Sequence, residues 1–283
     1  MDCGGYNYFM CNYENKNDDW KVLTQRNAAR YGKEETVKIP AYYQMIGVNA
    51  FQSNIKMKNL LLPNGLQEIS TNAFRCSKAL REVALPHSIY RVGNGCFAEC
   101  PSLRVAYLSN GLEEIWADRR LQKVLFTKDS EIKRIRKKAF YECATLNTIL
   151  LPPKVETIED RAFYKCKELK KVRFPKGLKK VGKEAFYFCG LESLELPDTV
   201  EMLDEKAFFK CMYLTEVKLP ESIRRIEKWV FHGCARLQVL EIRHDPEYIG
   251  EWIINKAARI RCYRGSKVAA YCQESGFTVE YIE

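Results

Sequence analysis

Apolar and polar residues follow one another in the same order many times along this chain. The segment ALREVALPHSIYRVGNGCFAEC, residues 79–100, shows the unit, and a phenylalanine marks each recurrence. Successive marker residues are 23, 23, 43, 23, 23, 22 and 23 positions apart, at Phe51, Phe74, Phe97, Phe140, Phe163, Phe186, Phe208 and Phe231. A fixed period in the twenties with one short apolar strand per unit predicts a solenoid, in which similar coils stack on one another.

The elements of one coil follow from its inward and outward positions. In LREVALP, Val83 and Leu85 alternate with the outward Ala84, which predicts a short parallel strand that ends at the proline. Two apolar residues three positions apart come next, and A-F-x-x-C-x-x-L then closes the coil. The predicted fold class is an α/β solenoid, with a parallel concave sheet, short helical or 3-10 corners and about nine to ten repeats of 23 residues.

Both ends of the chain depart from this unit. Near the C-terminus, a short helix is predicted between Ser266 and Gly276, and a last strand follows it over 277–282. The pattern therefore predicts three parts: an N-terminal cap over 1–34, the solenoid over 35–243, and a C-terminal cap over 244–283.

The repeated template carries a resemblance to a known family. The unit L-x-x-I-x-L-P-x-x-I-x-x-I-x-x-x-A-F-x-x-C-x-x-L resembles the BspA-like leucine-rich repeat over about residues 36–243. The ending RCYRGSKVAAYCQESGFTVEYI is also similar to the C-terminal end of that family. The resemblance implies a leucine-rich repeat fold and a bacterial or protist surface protein that adheres to other proteins. It brings no catalytic or binding residue with it.

The compartment stays open at this point. No apolar run approaches the roughly 18 residues of a membrane helix, so no membrane span is expected. The first thirty residues contain no basic start followed by an apolar stretch, which is the pattern of an export signal. The resemblance implies a cell-surface or secreted protein, whereas the missing signal favours the cytoplasm if the chain is complete as written.

Cysteine and histidine are the residues with the most candidate chemistry. Six of the 12 cysteines stand three positions after a repeat phenylalanine: Cys100, Cys143, Cys166, Cys189, Cys211 and Cys234. A small buried apolar residue in each coil is the favoured interpretation, and a disulfide or metal ladder is the alternative. His232 is expected at an exposed position while the Cys234 thiol points inward, so no Cys/His nucleophile is expected. We predict no cofactor, no metal site and no enzyme activity, because no C-x-x-C pair or nucleophile motif is present.

Each predicted strand has one central outward residue, and these residues form a column across the coils. This column is the most informative part of the predicted surface. In chain order it contains Lys38, Leu61, Ala84, Tyr107, Leu125, Leu150, Arg173, Glu195, Lys218 and Glu241. Five successive coils are apolar, and an exposed apolar stripe of that length indicates a contact surface. The predicted partner site for a protein or peptide contains Leu61, Val105, Tyr107, Leu125, Leu150 and Arg173. Self-association through the stripe, or its burial by tight curvature or a cap, are the alternatives.

A second hypothesis rests on charge. The net charge is +10, and residues 128–183 hold 17 Lys and Arg against 7 Asp and Glu, which accounts for the whole excess. The predicted basic band contains Lys133, Arg134, Arg136, Lys137, Lys138, Lys179, Lys180 and Lys183. Such a band is typical of a module that binds an anionic polymer, either a glycan, a wall polymer or a nucleic acid. A solvated face without a ligand is the alternative.

Overall fold

The structure is a computed structural model that describes residues 21–93, 95–108 and 121–282. Within them the chain forms a solenoid of about eleven coils, and every strand pairs in parallel with its neighbours. The predicted solenoid with parallel strands is confirmed. Cys3, Cys11 and most of the predicted N-terminal cap lie outside the described residues.

The coils build two rows of parallel strands, named here the long-strand sheet and the short-strand sheet. Hydrogen bonding divides the first row into groups of two, five and four strands, and the second into groups of four and six. The long-strand sheet contains Thr36–Lys38, Asn59–Leu61, Glu82–Ala84, Val105–Leu108, Lys123–Phe126, Thr148–Leu150, Lys171–Arg173, Glu216–Lys218, Val239–Glu241, Arg259–Tyr263 and Thr278–Ile282. The short-strand sheet contains Val22–Leu23, Met45–Ile46, Glu68–Ile69, Arg91–Val92, Arg134–Ile135, Thr157–Ile158, Lys180–Val181, Met202–Leu203, Arg225–Ile226 and Tyr248–Ile249. Since Val22–Leu23 pairs with Met45–Ile46, the short-strand sheet begins inside the segment predicted as the N-terminal cap.

The alternation of the long strands matches the sequence pattern. Val83 and Leu85 are buried while Ala84 between them is exposed. The same exposed–buried–exposed order recurs in Asn59–Leu61, Thr148–Leu150 and Glu216–Lys218. Because successive strand residues point to opposite faces, each coil buries one aliphatic face against its neighbours and presents the other face to solvent.

The marker phenylalanines form a file inside the stack. Rings of successive coils lie parallel with centroids 4.9 to 5.4 Å apart, in two described runs, Phe51 to Phe97 and Phe140 to Phe231. Replacement of a central ring such as Phe163 by alanine is expected to cost about 3–5 kcal/mol, because a cavity opens between two coils.

The corner around each phenylalanine is a series of single turns instead of a continuous helix. Arg161 and Lys165 both have φ of 57°, in the left-handed region. The N–H groups of Arg161, Phe163 and Lys165 donate to the next coil, at the carbonyl oxygens of Lys183, Ala185 and Tyr187, while those of Ala162 and Tyr164 donate to carbonyl oxygens three residues back. The corner therefore adds a third row of hydrogen bonds between coils.

The repeated cysteine is a hydrogen-bond donor in this fold. The Sγ atoms of Cys166 and Cys189 both lie 3.0 Å from the carbonyl oxygen of the phenylalanine in the preceding coil, Phe140 and Phe163 respectively. In the one coil with serine at this position, the hydroxyl of Ser77 makes the same bond to Phe51. All ten described cysteines are free thiols, and burial raises the pKa of Cys189 and Cys211. The interpretation as a buried thiol is confirmed, with a donor role added.

The C-terminal elements agree with the prediction. Helix Lys267–Ser275 begins after Ser266, whose side chain accepts a hydrogen bond from the N–H of Ala269, and it ends at Gly276 with φ of 68°. Strand Thr278–Ile282 then pairs with Arg259–Tyr263. At the other end, a one-turn helix at Gln25–Ala28 continues into a 3-10 turn at Ala29–Tyr31.

Candidate protein-binding surface

The predicted stripe lies along the solvent face of the long-strand sheet. Leu61, Tyr107 and Leu150 are 52%, 43% and 63% exposed, and Ala84 between the first two is also exposed. Leu125 and Val105 are half-buried. The pairing of the strands places Ala84 beside Tyr107, Tyr107 beside Leu125 and Leu150 beside Arg173. Neighbouring side chains of the column are therefore about 4.8 Å apart, the spacing of paired strands.

The same column changes character beyond Leu150. Its members are then charged with alternating sign: Arg173, Glu195, Lys218, Glu241, Arg261 and Glu280. From Lys218 onward these charges pair between neighbouring strands, because Glu241 contacts Lys218 and Arg261, and Arg261 also contacts Glu280. Opposite charges on adjacent strands stabilise a sheet surface. The column is thus apolar from Leu61 to Leu150 and neutralised by its own ion pairs from Lys218 to Glu280.

Glu241 departs from the expectation for an outward residue, since it is only 4% exposed. The side chains of its cationic neighbours cover it. Its carboxylate accepts hydrogen bonds from Arg243 Nε at 2.6 Å and Arg261 Nη1 at 3.0 Å, and Lys218 Nζ lies 3.7 Å away. Burial alone raises the pKa of Glu241, but the hydrogen bonds from the two arginines outweigh it and hold the pKa below its usual value.

Three cations beside the apolar half stand without such counter-ions. Lys123, Lys171 and Arg173 are exposed, and none of them has an ion pair to a carboxylate among residues 21–93, 95–108 and 121–282. Lys123 and Lys171 occupy the outward position two residues before the stripe, on either side of Thr148. The far end of the stripe, near Leu125 and Leu150, therefore carries uncompensated positive charge.

The predicted basic band lies on and after the short-strand sheet and is divided by acidic residues. Lys133 and Lys179 belong to coils that are separated by a third coil, which contributes Glu156, Glu159 and Asp160. Four members of the band form ion pairs: Arg136 with Glu159 at 3.6 Å, Lys179 with Glu156 at 3.3 Å, Lys180 with Asp204 at 3.2 Å and Lys183 with Glu205 at 2.9 Å. Lys133, Arg134 and Lys137 are exposed, and Lys138 lies against the ring of Tyr141 at 5.5 Å.

The histidine prediction needs a correction. His232 is half-buried instead of exposed, because its ring packs between Phe209 and Trp252 and its Nδ1 lies 3.4 Å from the carbonyl oxygen of Ile254. The Cys234 thiol donates to the carbonyl oxygen of Phe208. The two side chains have separate partners, so the geometry gives no nucleophile and base pair.

Among the described residues there is neither a cluster of metal ligands nor a helix that could cross a membrane. They contain no cluster of three or more His, Cys, Asp or Glu side chains with the spacing of metal ligands. None of their helices has the length and apolar character that a bilayer-crossing segment needs.

A surface feature that the sequence prediction missed follows the phenylalanine file. The residue after each marker is aromatic in five successive coils, and the rings stack in order from Tyr141 through Tyr164, Tyr187 and Phe209 to His232. The residue just before each short strand also occupies a fixed position of the repeat. These residues alternate in charge over six coils: Lys133, Glu156, Lys179, Glu201, Arg224 and Glu247. Both signals are present in the sequence when every column of the repeat is compared and not the apolar columns alone.

The sequence was then compared with known families. The profile described as BspA type leucine rich repeat region matches six copies, over residues 26–119 and 133–261. The chain belongs to this family. BspA-type leucine-rich repeat proteins are typically surface adhesion or protein-interaction modules, and no catalytic family matches the chain. Comparison with curated proteins finds no match.

Several solved bacterial leucine-rich repeat structures are similar to this BspA-type chain. A leucine rich cell surface protein from Faecalibacterium prausnitzii is 24% identical, with a TM-score of 0.47, over 77% of this chain and 60% of that protein. The pneumococcal vaccine antigen PcpA is 18% identical with a TM-score of 0.43, over 88% of this chain and 79% of the antigen. A leucine-rich repeat protein from Bacteroides ovatus is 17% identical with a TM-score of 0.38, over 88% and 84%.

Proposed function

We propose that this BspA-type chain is a non-enzymatic module that binds a protein or peptide partner through the apolar half of its long-strand sheet, the face predicted to be concave. The observation that supports the proposal is the change in the outward column. Over residues 218–280 the column is neutralised by ion pairs between alternating charges, whereas from Leu61 to Leu150 it presents apolar side chains to water. A surface that meets only solvent gains nothing from such a stripe.

The composition of the stripe also fits a binding surface. Tyr107 and Arg173 belong to the residue types that contribute most to protein interfaces, and aliphatic neighbours at Leu125 and Leu150 exclude water around them. The five strands from Glu82–Ala84 to Lys171–Arg173 form one hydrogen-bonded group, so the side chains are held at fixed spacing. A rigid site is expected to bind without the cost of ordering a loop.

The experiment uses the double variant Tyr107→Asp with Leu150→Asp. Peptides selected from a displayed random library against the unmodified chain serve as probes, and their dissociation constants are measured by fluorescence anisotropy. Two charges placed in the interface are expected to weaken binding by roughly 30-fold or more, which corresponds to a loss of about 2 kcal/mol. The melting temperature should stay within a few degrees, because both side chains point to solvent.

The matched control replaces two other exposed apolar residues, Ile55→Asp with Tyr90→Asp, which are 59% and 45% exposed and lie off the stripe. This control is expected to bind the selected peptides as the unmodified chain does. Unchanged binding by the stripe variant would contradict the proposal. A collapse of its melting temperature would contradict it as well, since the side chains would then belong to the core.

The alternative is a module that binds an anionic polymer through the basic band. It is favoured by Lys133, Arg134 and Lys137, which are exposed and have no ion pair to a carboxylate among the described residues. The paired members, Arg136, Lys179, Lys180 and Lys183, reduce its net field. For this reason the apolar stripe is the preferred site.

A further inference from the structure

We infer that the stripe accepts an amphipathic α-helix whose acidic end lies over Lys123, Lys171 and Arg173. This inference rests on the proposed function and adds the conformation, charge and direction of the partner. It draws on two independent features of the described residues, which are the spacing of the apolar side chains and the position of the cations without counter-ions.

The spacing of the stripe matches a helix better than an extended peptide. From Leu61 to Leu150 the column crosses five adjacent strands and so spans about 19 Å at the usual strand separation. The apolar positions i, i+4, i+7, i+11 and i+14 of a helix extend over about 21 Å. Five side chains on one face of an extended chain would cover about 27 Å, so they fall out of step with the coils.

The spacing of the coils inside the stack supports the same match. Centroids of Phe51, Phe74 and Phe97, which belong to the coils of Lys38, Leu61 and Ala84, are 5.2 and 5.3 Å apart. The apolar face of a helix advances by about 5.3 Å per contacting residue. A helix laid across the strands therefore keeps one apolar side chain over each coil.

The charges at the border of the stripe define one end of the helix. Lys123, Lys171 and Arg173 have no ion pair to a carboxylate within the described part of the chain, whereas most cations on the short-strand side are paired. At the Leu61 end, the outward strand positions hold one cation, Lys38, and one anion, Glu82, so their charges offset each other. Electrostatic complementarity thus favours a partner with acidic residues at the Leu150 end only.

The helix dipole sets the direction. The C-terminal end of a helix carries a partial negative charge, which is stabilised by nearby cations. The acidic residues and the C-terminus of the partner helix should therefore point toward Arg173, and its N-terminus toward Leu61.

A second copy of this chain is disfavoured as the occupant, because the two described helices, Gln25–Ala28 and Lys267–Ser275, are shorter than the span of the stripe.

The probes are four synthetic peptides of about 18 residues with leucine at positions i, i+4, i+7, i+11 and i+14. The first has glutamates in its last turn, the second has lysines there, and the third has the glutamates in its first turn. The fourth is the first peptide with two central prolines. Binding to the full chain is measured by fluorescence anisotropy at about 0.05 M and 0.15 M salt, since ion pairs at the border are screened by salt.

The first peptide is expected to bind at least tenfold more tightly than each of the others. The charge-reversal variant Lys171→Glu with Arg173→Glu should lose this preference and bind the lysine peptide better. Lys38→Glu serves as the matched control, because Lys38 is an exposed cation of the same column at its other end. The Lys38→Glu variant is expected to bind the first peptide most tightly, as the unmodified chain does.

Equal binding of the glutamate and lysine peptides, tight binding of the proline peptide, or no binding of any of the four would overturn the inference. A dimer in light scattering that the Tyr107→Asp, Leu150→Asp variant abolishes would overturn it too, since the occupant would then be a second copy. The proposed function is judged separately by the selected library peptides. If those lose binding in the stripe variant but are neither helical nor acidic, the proposed function stands and this inference fails.

Discussion

At the scale of single residues, the cysteine of the repeat has a defined partner. Its thiol donates to the phenylalanine carbonyl of the preceding coil, at 3.0 to 3.2 Å in five described coils. The sequence predicts the burial of this residue but not the bond, because a thiol and a small aliphatic group fill a similar volume. Ser77 was the available signal: it is one of two positions, with Asn54, where the repeat departs from cysteine, and its hydroxyl replaces the thiol as donor.

The bond leads to a prediction for Cys166. Cys166→Ser keeps a donor at this position and should lower the free energy of unfolding by less than about 1 kcal/mol. Cys166→Ala removes one of the two donors to the Phe140 carbonyl oxygen, leaving the N–H of Cys143, and it opens a small void, so it should cost about 1–3 kcal/mol. Urea denaturation of the full chain followed by circular dichroism compares the two variants. A more stable alanine variant would indicate that the position requires only an apolar group.

At the scale of elements, the inward aliphatic residues determine the strands, and the ion pairs then depend on register. The 23-residue period places Lys179 beside Glu156 and Arg224 beside Glu247 on neighbouring coils. A count of charges along the sequence takes no account of this register, so residues 128–183 predict a band of free charge. The structure divides that band, because carboxylates such as Asp204 and Glu205 come from outside the segment.

The carboxylate of Glu241 gives a pH dependence at this scale. Its pKa is lower in the folded chain than in the unfolded chain, so its stabilising contribution is complete above the ordinary glutamate pKa of about 4.3. That contribution is lost as the pH falls through the lowered folded pKa. Glu241→Gln should therefore reduce the melting temperature at pH 7 and flatten its decline below about pH 4.5, when melting is followed by circular dichroism.

Glu82→Gln is the control for this experiment, since Glu82 is exposed and has no ion pair among the described residues. Its melting temperature at pH 7 is expected to equal that of the unmodified chain. If Glu241→Gln also left the melting temperature at pH 7 unchanged, the contacts with Arg243 and Arg261 would contribute nothing to stability.

At the scale of the whole molecule, the fold is predictable because each coil repeats the same apolar face. Phenylalanines at a constant position of the repeat stack ring on ring in neighbouring coils. The fold can therefore be predicted without knowledge of any contact between distant coils. The site is harder to predict, since exposure depends on neighbouring side chains: Glu241 and Leu150 occupy the same column, yet one is 4% and the other 63% exposed. The side chains of Arg243, Arg261 and Lys218 around the Glu241 carboxylate account for that difference.

The net charge of +10 leads to a prediction for the whole chain on immobilised heparin. Because four members of the basic band are paired, we expect retention at about 0.05 M salt and complete elution by about 0.2 M. Neutralisation of Lys133, Arg134 and Lys137 to glutamine should lower the elution point more than neutralisation of the exposed Lys33, Lys56 and Lys78. Retention well above 0.2 M that the first triple variant removes would make the polyanion hypothesis the better one.

The left-handed corners are positions at which the thermal stability of the solenoid can be raised. Fifteen described residues other than glycine adopt a positive φ, although the conformation costs an ordinary residue about 1–2 kcal/mol. Gly95 and Gly233 already occupy such corners, where they avoid that strain. Glycine introduced at Lys165 or Lys210 would relax its own corner and leave both sheets untouched. Each such substitution is thus expected to raise the melting temperature of the solenoid through a single corner.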